Sequence, residues 1–405
     1  MQLSNRHAAL AVFVSALGYF VDVYDLILFS VVRTASLIDL GLSGDDLLST
    51  GVYLLNMQMT GMLLGGILWG VWGDKRGRVS VLFGSILLYS LANILNGFVT
   101  SVDSYAACRL IAGIGLAGEL GAGITLVSES MSKEHRGYGT TIVATVGVAG
   151  AVVAALVGDL VPWRVSYFIG GGLGLSLLGL RILVHESGMF QAMRASEVTK
   201  GNLLLLVRDR VRFLRYIKCI VIGLPIWAVI GVIITFSPEI GTALGVSPTP
   251  SAGKAVFYSY VGLVLGDLAS GLISQRLRSR KKAVFLFLFA TLITSMLTLC
   301  TYHVSLSTYY FFCLLLGLAV GYWAVFVTTA SEQFGTNLRA TVTTTVPNFV
   351  RGSVVPVTSL FKALAGVLSS PAAALIVVSL SLVLAFWSVF TLEESFAKDL
   401  DFVEI

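Results

Sequence analysis

Twelve predominantly apolar runs, most of about twenty residues or more, occupy nearly the whole of this chain. They lie at 8–32, 48–72, 79–98, 104–130, 139–161, 164–184, 216–238, 254–275, 283–303, 308–330, 340–366 and 370–392. About 20 apolar residues carry an α-helix across a bilayer. In lipid only helices and closed barrels satisfy their own backbone groups. The expected fold is therefore an all-α integral membrane bundle of twelve transmembrane helices. Charged residues make up 12% of the chain, about half the share of a soluble domain. The first run follows only Arg6 and His7 and lacks a small-residue cleavage site, so it reads as a retained span.

Lysine and arginine fall unevenly between the runs. Nineteen lie on the side of the N-terminus and the central loop, and three (Arg33, Arg164 and Lys254) on the other. The positive-inside rule then places both termini in the cytoplasm, in a plasma or bacterial inner membrane. The net charge of +5 is explained by this orientation and calls for no nucleic acid. The longest polar stretch separates a bundle at 1–184 from one at 216–392. Within this linker, 185–215, the basic segment "RDRVRFLR" is expected to lie along the membrane surface. The acidic tail, 393–405, is expected to be mobile. Four cysteines sit in or beside apolar runs without metal-like spacing, so no metal is expected.

The two halves repeat. "GVWGDKRGR" (Gly70–Arg78) closes span 2, and "GLISQRLRSRKK" begins 201 residues later at the end of span 8. "SESMSKEHR" after span 4 returns as "SEQFGTNLR" after span 10, displaced by 203 residues. Both copies have Ser-Glu with an arginine seven residues after the glutamate: Glu129 with Arg136, and Glu332 with Arg339. A duplicated six-helix unit is the mark of secondary transporters, with the substrate site near the bilayer midplane between the repeats.

Charges inside the spans point to that site, since each is costly in lipid and is expected to face a cavity or a partner. Asp22 and Asp25 are three residues apart and share one helix face. Two carboxylates so close do not readily ionise together, so one of them, or Glu119 in span 4, is the expected proton carrier. Arg109 and Lys362 lie near span ends and can reach water, and Asp267 lies near the gate end of span 8. Arg351 is different: it lies well inside span 11 between Pro347 and Pro356. Its fixed fork matches a carboxylate, which makes it the expected anion ligand. Tyr24, Asn56, Gln58, Trp227, Tyr258, Tyr322, Trp323 and Asn348, with Tyr19 and Tyr260, are candidates to complete the pocket. "GIGLAG" at 113–118 has the spacing of a nucleotide loop but lies inside a span, where small residues serve helix packing. There is no HExxH, Gly-x-Ser-x-Gly or intramembrane Ser/His pair, so an enzyme is not expected.

"GVWGDKRGR" resembles the loop signature of the major facilitator superfamily, carried by Gly70, Asp74, Lys75, Gly77 and Arg78. Its echo after span 8 has Gln275 in place of the aspartate. The pair of aspartates in span 1, "RLIAGIGLAGE", "WRVSYFIGG", "ESGMF" and "SEQFGTNLRAT" are similar to the sugar-porter and organic-anion:proton symporter branch. The resemblance implies two pseudo-symmetric six-helix bundles that rock around a central site. It implies that Asp74, Arg78, Glu129, Arg136, Glu332 and Arg339 pair across helices and hold the cytoplasmic side shut. It also implies an arginine of span 11, here Arg351, that binds an organic anion, with span 10 facing the cavity near Tyr322 and Trp323. Span 5 lacks the proline typical of drug antiporters. The expected protein is thus a monomeric proton-coupled symporter of a small carboxylate, with the proton as coupling ion and no other cofactor. A uniporter or exporter of a neutral or cationic solute, or a sensor that moves nothing, are the alternatives.

Overall fold

The computed structural model describes residues 5–43, 45–182, 186–187, 189–190, 201 and 204–404, and their regular secondary structure is helical. Span 1 is Asn5–Asp39, span 2 Asp45–Arg76, span 3 Arg78–Asn96, span 5 Arg136–Leu160 and span 6 Trp163–Arg181. Span 7 runs from Arg210 to Ala228 and passes into a π-helical turn, Val229–Ile234. Span 8 is Ala252–Leu277, span 9 Arg280–Cys300 and span 12 Ser370–Thr391. Three spans are interrupted: span 4 (Val102–Leu116, Glu119–Ser130), span 10 (Leu306–Ala319, Trp323–Glu332) and span 11 (Arg339–Gly352, Val354–Ala365).

Ten of these helices are long and apolar enough to cross a membrane. The remaining two, spans 6 and 11, are helical but less apolar. Span 11 has a reason: Thr341, Thr343, Thr344, Thr345, Asn348 and Arg351 in its first half are all buried in protein, so its polar side chains are shielded by the bundle.

The repeat seen in the sequence is also a repeat of contacts. Span 2 packs on the first half of span 11, and span 8, the partner of span 2 in the repeat, packs on span 5, the partner of span 11. The first segment of span 4 stops at Leu116 and that of span 10 at Ala319, again 203 residues apart.

Two expectations fail at the linker and tail. The basic stretch does not form a separate surface helix. Leu204–Arg208 is a short helix of its own, and Asp209 then caps span 7 by accepting from the Arg212 amide at 2.7 Å. Arg210, Arg212 and Arg215 therefore lie in the first turns of span 7. The acidic tail is docked, not mobile. Leu400 is buried, Phe402 O accepts from the Thr336 amide at 2.8 Å, and Glu404 pairs with Arg212 and Arg215. The tail lies against arginines and backbone donors that its own oxygens satisfy.

Candidate functional site

One end of the bundle, here the basic end, is closed by buried charge. It begins with two glycines. Gly70 lets span 2 touch span 11: a Cβ there would lie 2.8 Å from Thr341 Cα. Gly77, at φ 106°, turns the chain from span 2 into span 3 in a conformation that favours glycine. Asp74 then reaches across the seam and accepts from the Ala340 amide (3.0 Å), the Thr341 amide (2.9 Å) and the Thr341 hydroxyl (2.6 Å). It is an anionic cap on the N-terminus of span 11, supplied by the other half. Arg78 pairs with Asp74 (3.5 Å) and Glu129 (2.9 Å). Lys75 is exposed.

The glutamate–arginine pairs are exchanged relative to their order in the sequence. Glu129 pairs with Arg339 at 2.9 Å, and Arg136 with Glu332 at 2.8 Å. Each repeat thus gives its glutamate to the arginine of the other. The physical reason is direction. The helix ends after the glutamate, and the chain turns before the arginine opens the next span, so the arginine points over the seam. Sequence reasoning missed Arg280, which binds Glu332 at 3.0 Å. It stands 202 residues after Arg78, so the repeat itself was the signal. "ESGMF" also belongs here: Ser187 donates to Glu129, Glu186 accepts from the Val79 amide at 3.1 Å, and Phe190 lies 4.7 Å from the Arg78 guanidinium. Burial pushes the Glu186 carboxyl above the usual range. The tail adds carbonyl acceptors, Lys398 O to Arg136 (2.8 Å) and Leu400 O to Arg339 (2.6 Å).

At mid-membrane, Arg351 spans the seam. It is 2% exposed, donates to the Tyr19 hydroxyl of span 1 at 3.2 Å, and lies 3.5 Å from Asn348 Oδ1. Its guanidinium is 5.3 Å from the Trp323 ring, and its Nε has no partner among the described residues. Tyr19, Trp227, Tyr260, Trp323 and Arg351 line a cavity of about 30 Å³. That is space for about two waters. Asn348 does not line the cavity but joins the halves, donating to Ala117 O at 3.0 Å.

The expected pocket is smaller than the list of candidates. Tyr24 donates to Ser166 O (3.0 Å) inside its own half, and Tyr322 donates to Ile222 O (2.9 Å) inside the other. Gln58 is buried in the packing of span 2 on span 4, and Asn56 is half-buried on the same helix. Tyr258 is exposed and stacks on Tyr310 at 5.4 Å. None of these five is among the lining residues. Tyr260 takes the place expected of Tyr258, because two residues rotate a helix by about 200°.

The buried acids also separate. Asp22 and Asp25 are fully buried; among the described residues Asp22 has no hydrogen-bond partner, and Asp25 faces the Asn93 side chain. Asp22 lies in the field of Arg351, and Asp25 in that of Arg109. Arg109 does not reach water: it is fully buried, donates to Asn93 at 2.8 Å, and sits 4.9 Å from the Tyr167 ring. Glu119 is ion-paired with Arg181 and faces Ser85 at 3.4 Å. Arg181 was hidden in the sequence by its place near the end of span 6, where an arginine ordinarily reaches for the interface. Asp267 is absent from the basic-end ion pairs; it accepts from the Ala324 amide at 2.8 Å.

The family model described as Major Facilitator Superfamily matches residues 8–369. A candidate 4-methylmuconolactone transporter of Cupriavidus pinatubonensis is 27% identical over 80% of this chain and 76% of its own. The 3-(3-hydroxy-phenyl)propionate transporter of Escherichia coli is 25% identical over 62% of this chain and 61% of its own. The solved structure of the proton:xylose symporter XylE bound to 6-bromo-6-deoxy-D-glucose has the same fold, with TM-score 0.78 and 17% identity over 98% of each chain.

Proposed function

The chain belongs to the Major Facilitator Superfamily and is a multi-pass membrane transporter, not an enzyme; on that premise we propose that it carries a small organic anion into the cell together with a proton. Arg351 carries this reading. A guanidinium buried midway along span 11, on the seam between the halves, with no carboxylate within ion-pair distance among the described residues, is suited to bind an anion. The Trp323 and Tyr19 rings around it suit an aromatic or other flat carboxylate. A relative named for a phenylpropionate supports the substrate class.

The proton is carried by Asp22 or Asp25. Glu119 is ion-paired with Arg181, whereas neither aspartate has an ion-pair partner among the described residues. The basic end is cytoplasmic by the positive-inside rule, so its ion pairs close the inner side. Substrate and proton enter from outside. The halves then rock, the seam between Glu129, Arg339, Arg136 and Glu332 parts, and the aspartate releases its proton to the cytoplasm. The small cavity fits a closed site that must widen to admit substrate.

Proteoliposome uptake of labelled 3-(3-hydroxyphenyl)propionate and benzoate, with and without an inward proton gradient, tests this. Gradient-driven uptake is expected. Uptake indifferent to the gradient would point to uniport, and binding without flux to a sensor. Asp22→Asn and Asp25→Asn are each expected to be made, and whichever removes gradient-driven uptake while keeping substrate exchange identifies the proton carrier. If both variants respond to the gradient as the wild type does, neither aspartate couples.

Asp74→Asn replaces one of two acceptor oxygens by an amide that faces N–H donors. Uptake is expected to fall several-fold with the membrane level unchanged. Wild-type uptake in this variant would show that the cap on span 11 does not matter to the cycle.

A further inference from the structure

Span 10 stops at Ala319, turns through Val320–Tyr322, and restarts at Trp323. A helix that restarts inside the membrane exposes amides that its own backbone cannot satisfy. Tyr322, at the capping position, makes no side-chain cap. The cap comes instead from span 8: Asp267, fully buried, accepts from the Ala324 amide at 2.8 Å. A carboxylate at this place also answers the positive end of the new half-helix. Close approach permits it, since a Cβ on Gly321 would lie 2.7 Å from the Asp267 amide.

The first residue of the capped half-helix is Trp323, whose ring lies 5.3 Å from Arg351 and lines the central cavity. The corresponding break in span 4 is held differently. There Trp69 donates to Ile114 O (2.7 Å) and Asn348 to Ala117 O (3.0 Å), so carbonyls are satisfied, while Glu119, the first residue of the second half, pairs with Arg181 and makes no cap. Among the described residues at these two breaks, Asp267 is the acid whose oxygen accepts from an amide of the restarted half-helix.

We propose that Asp267 is a positioning residue for the substrate site: by capping the second half of span 10 it sets the place of Trp323 against Arg351, and it acts as a fixed acceptor and not as a proton carrier. This rests on Arg351 as the anion ligand. Its essential group is an oxygen facing the Ala324 amide, which asparagine keeps and alanine lacks.

The test uses full-length protein, with Asp267→Asn and Asp267→Ala. In proteoliposomes, KM and maximal rate for 3-(3-hydroxyphenyl)propionate and benzoate are measured across pH. Asp267→Asn is expected to stay within about threefold of wild type with the same pH profile. Asp267→Ala is expected to raise KM about tenfold or more with the maximal rate changed much less. Hydrogen exchange of the amides at 323–327 is read in the same proteins without substrate: faster in Asp267→Ala, unchanged in Asp267→Asn. Asparagine abolishing gradient-driven uptake while exchange of substrate persists would overturn the fixed-acceptor role. An unchanged KM in alanine would overturn positioning, and unchanged amide exchange in alanine would overturn the cap. If the wild type takes up neither carboxylate, the anion reading fails, and the amide exchange still decides the cap.

Discussion

Arg351→Ala is expected to reduce uptake of an aromatic carboxylate by about a hundredfold or more. A hydrogen bond to a charged group contributes about 1.5–3 kcal/mol, and a fork makes two of them. Arg351→Lys keeps the charge and loses the fork, so it is expected to recover only part of the affinity. The alanine variant also frees the Tyr19 hydroxyl from its 3.2 Å contact across the seam. The thermal transition of the purified variant must therefore be shown to be near that of wild type before the loss is assigned to the substrate. Unchanged uptake in both variants would remove Arg351 from the site. A neutral or cationic substrate would show the opposite sign, with alanine tolerated and an added lysine charge irrelevant.

The second large effect is at the crossed ion pairs. Arg339→Ala removes the Glu129 partner and the contact with Leu400 O together. Taking one member from a buried pair costs about 3–5 kcal/mol; Glu129 keeps Arg78 as a second cation, so the lower end applies, and it falls on the state in which the basic end is closed. A shift of this size changes the ratio of closed to open forms by about a hundredfold or more. Labelling of single cysteines placed along the inner ends of spans 5 and 8 is expected to speed up, and uptake to fall, because the protein no longer returns to the outward-facing form. Exchanging the charges, Glu129→Arg with Arg339→Glu, is not expected to rescue it. Arg78 already uses Glu129 at 2.9 Å, and an arginine in its place would face Arg78 directly. Full rescue by the swap would mean that the pairs act in isolation, against the shared geometry seen here.

What the sequence made legible follows the strength of each constraint. Lipid demands long apolar helices, so the spans were readable to within a few residues, and the charge count set their orientation as an expectation. Charge inside a span is expensive, which singled out Asp22, Asp25, Glu119 and Arg351. The repeat located Arg136 and Arg339 but neither their partners nor Arg280, because the exchange of Glu129 and Glu332 between halves exists only in three dimensions. The pocket was the weakest part. In a soluble helix the polar face marks the outside, whereas here lipid and interior are both apolar, and Tyr258 and Tyr260 could not be told apart by periodicity. Trp227, Trp323 and Arg351 were found by residue type; Val23, Leu26 and Ile230, which also line the cavity, have nothing in their chemistry to announce them.

The docked tail has a consequence for how this segment tolerates change. Lys398, Leu400 and Phe402 meet Arg136, Arg339 and the Thr336 amide through main-chain oxygens. Every residue type supplies such an oxygen, so these three contacts depend on the spacing of the chain, whereas the contacts of Glu394, Ser395 and Glu404 depend on their own side chains. Deleting or inserting one residue between Thr391 and Leu400 would move every carbonyl past its partner at once. Selection on this tail therefore acts on its length and path as well as on those few side chains.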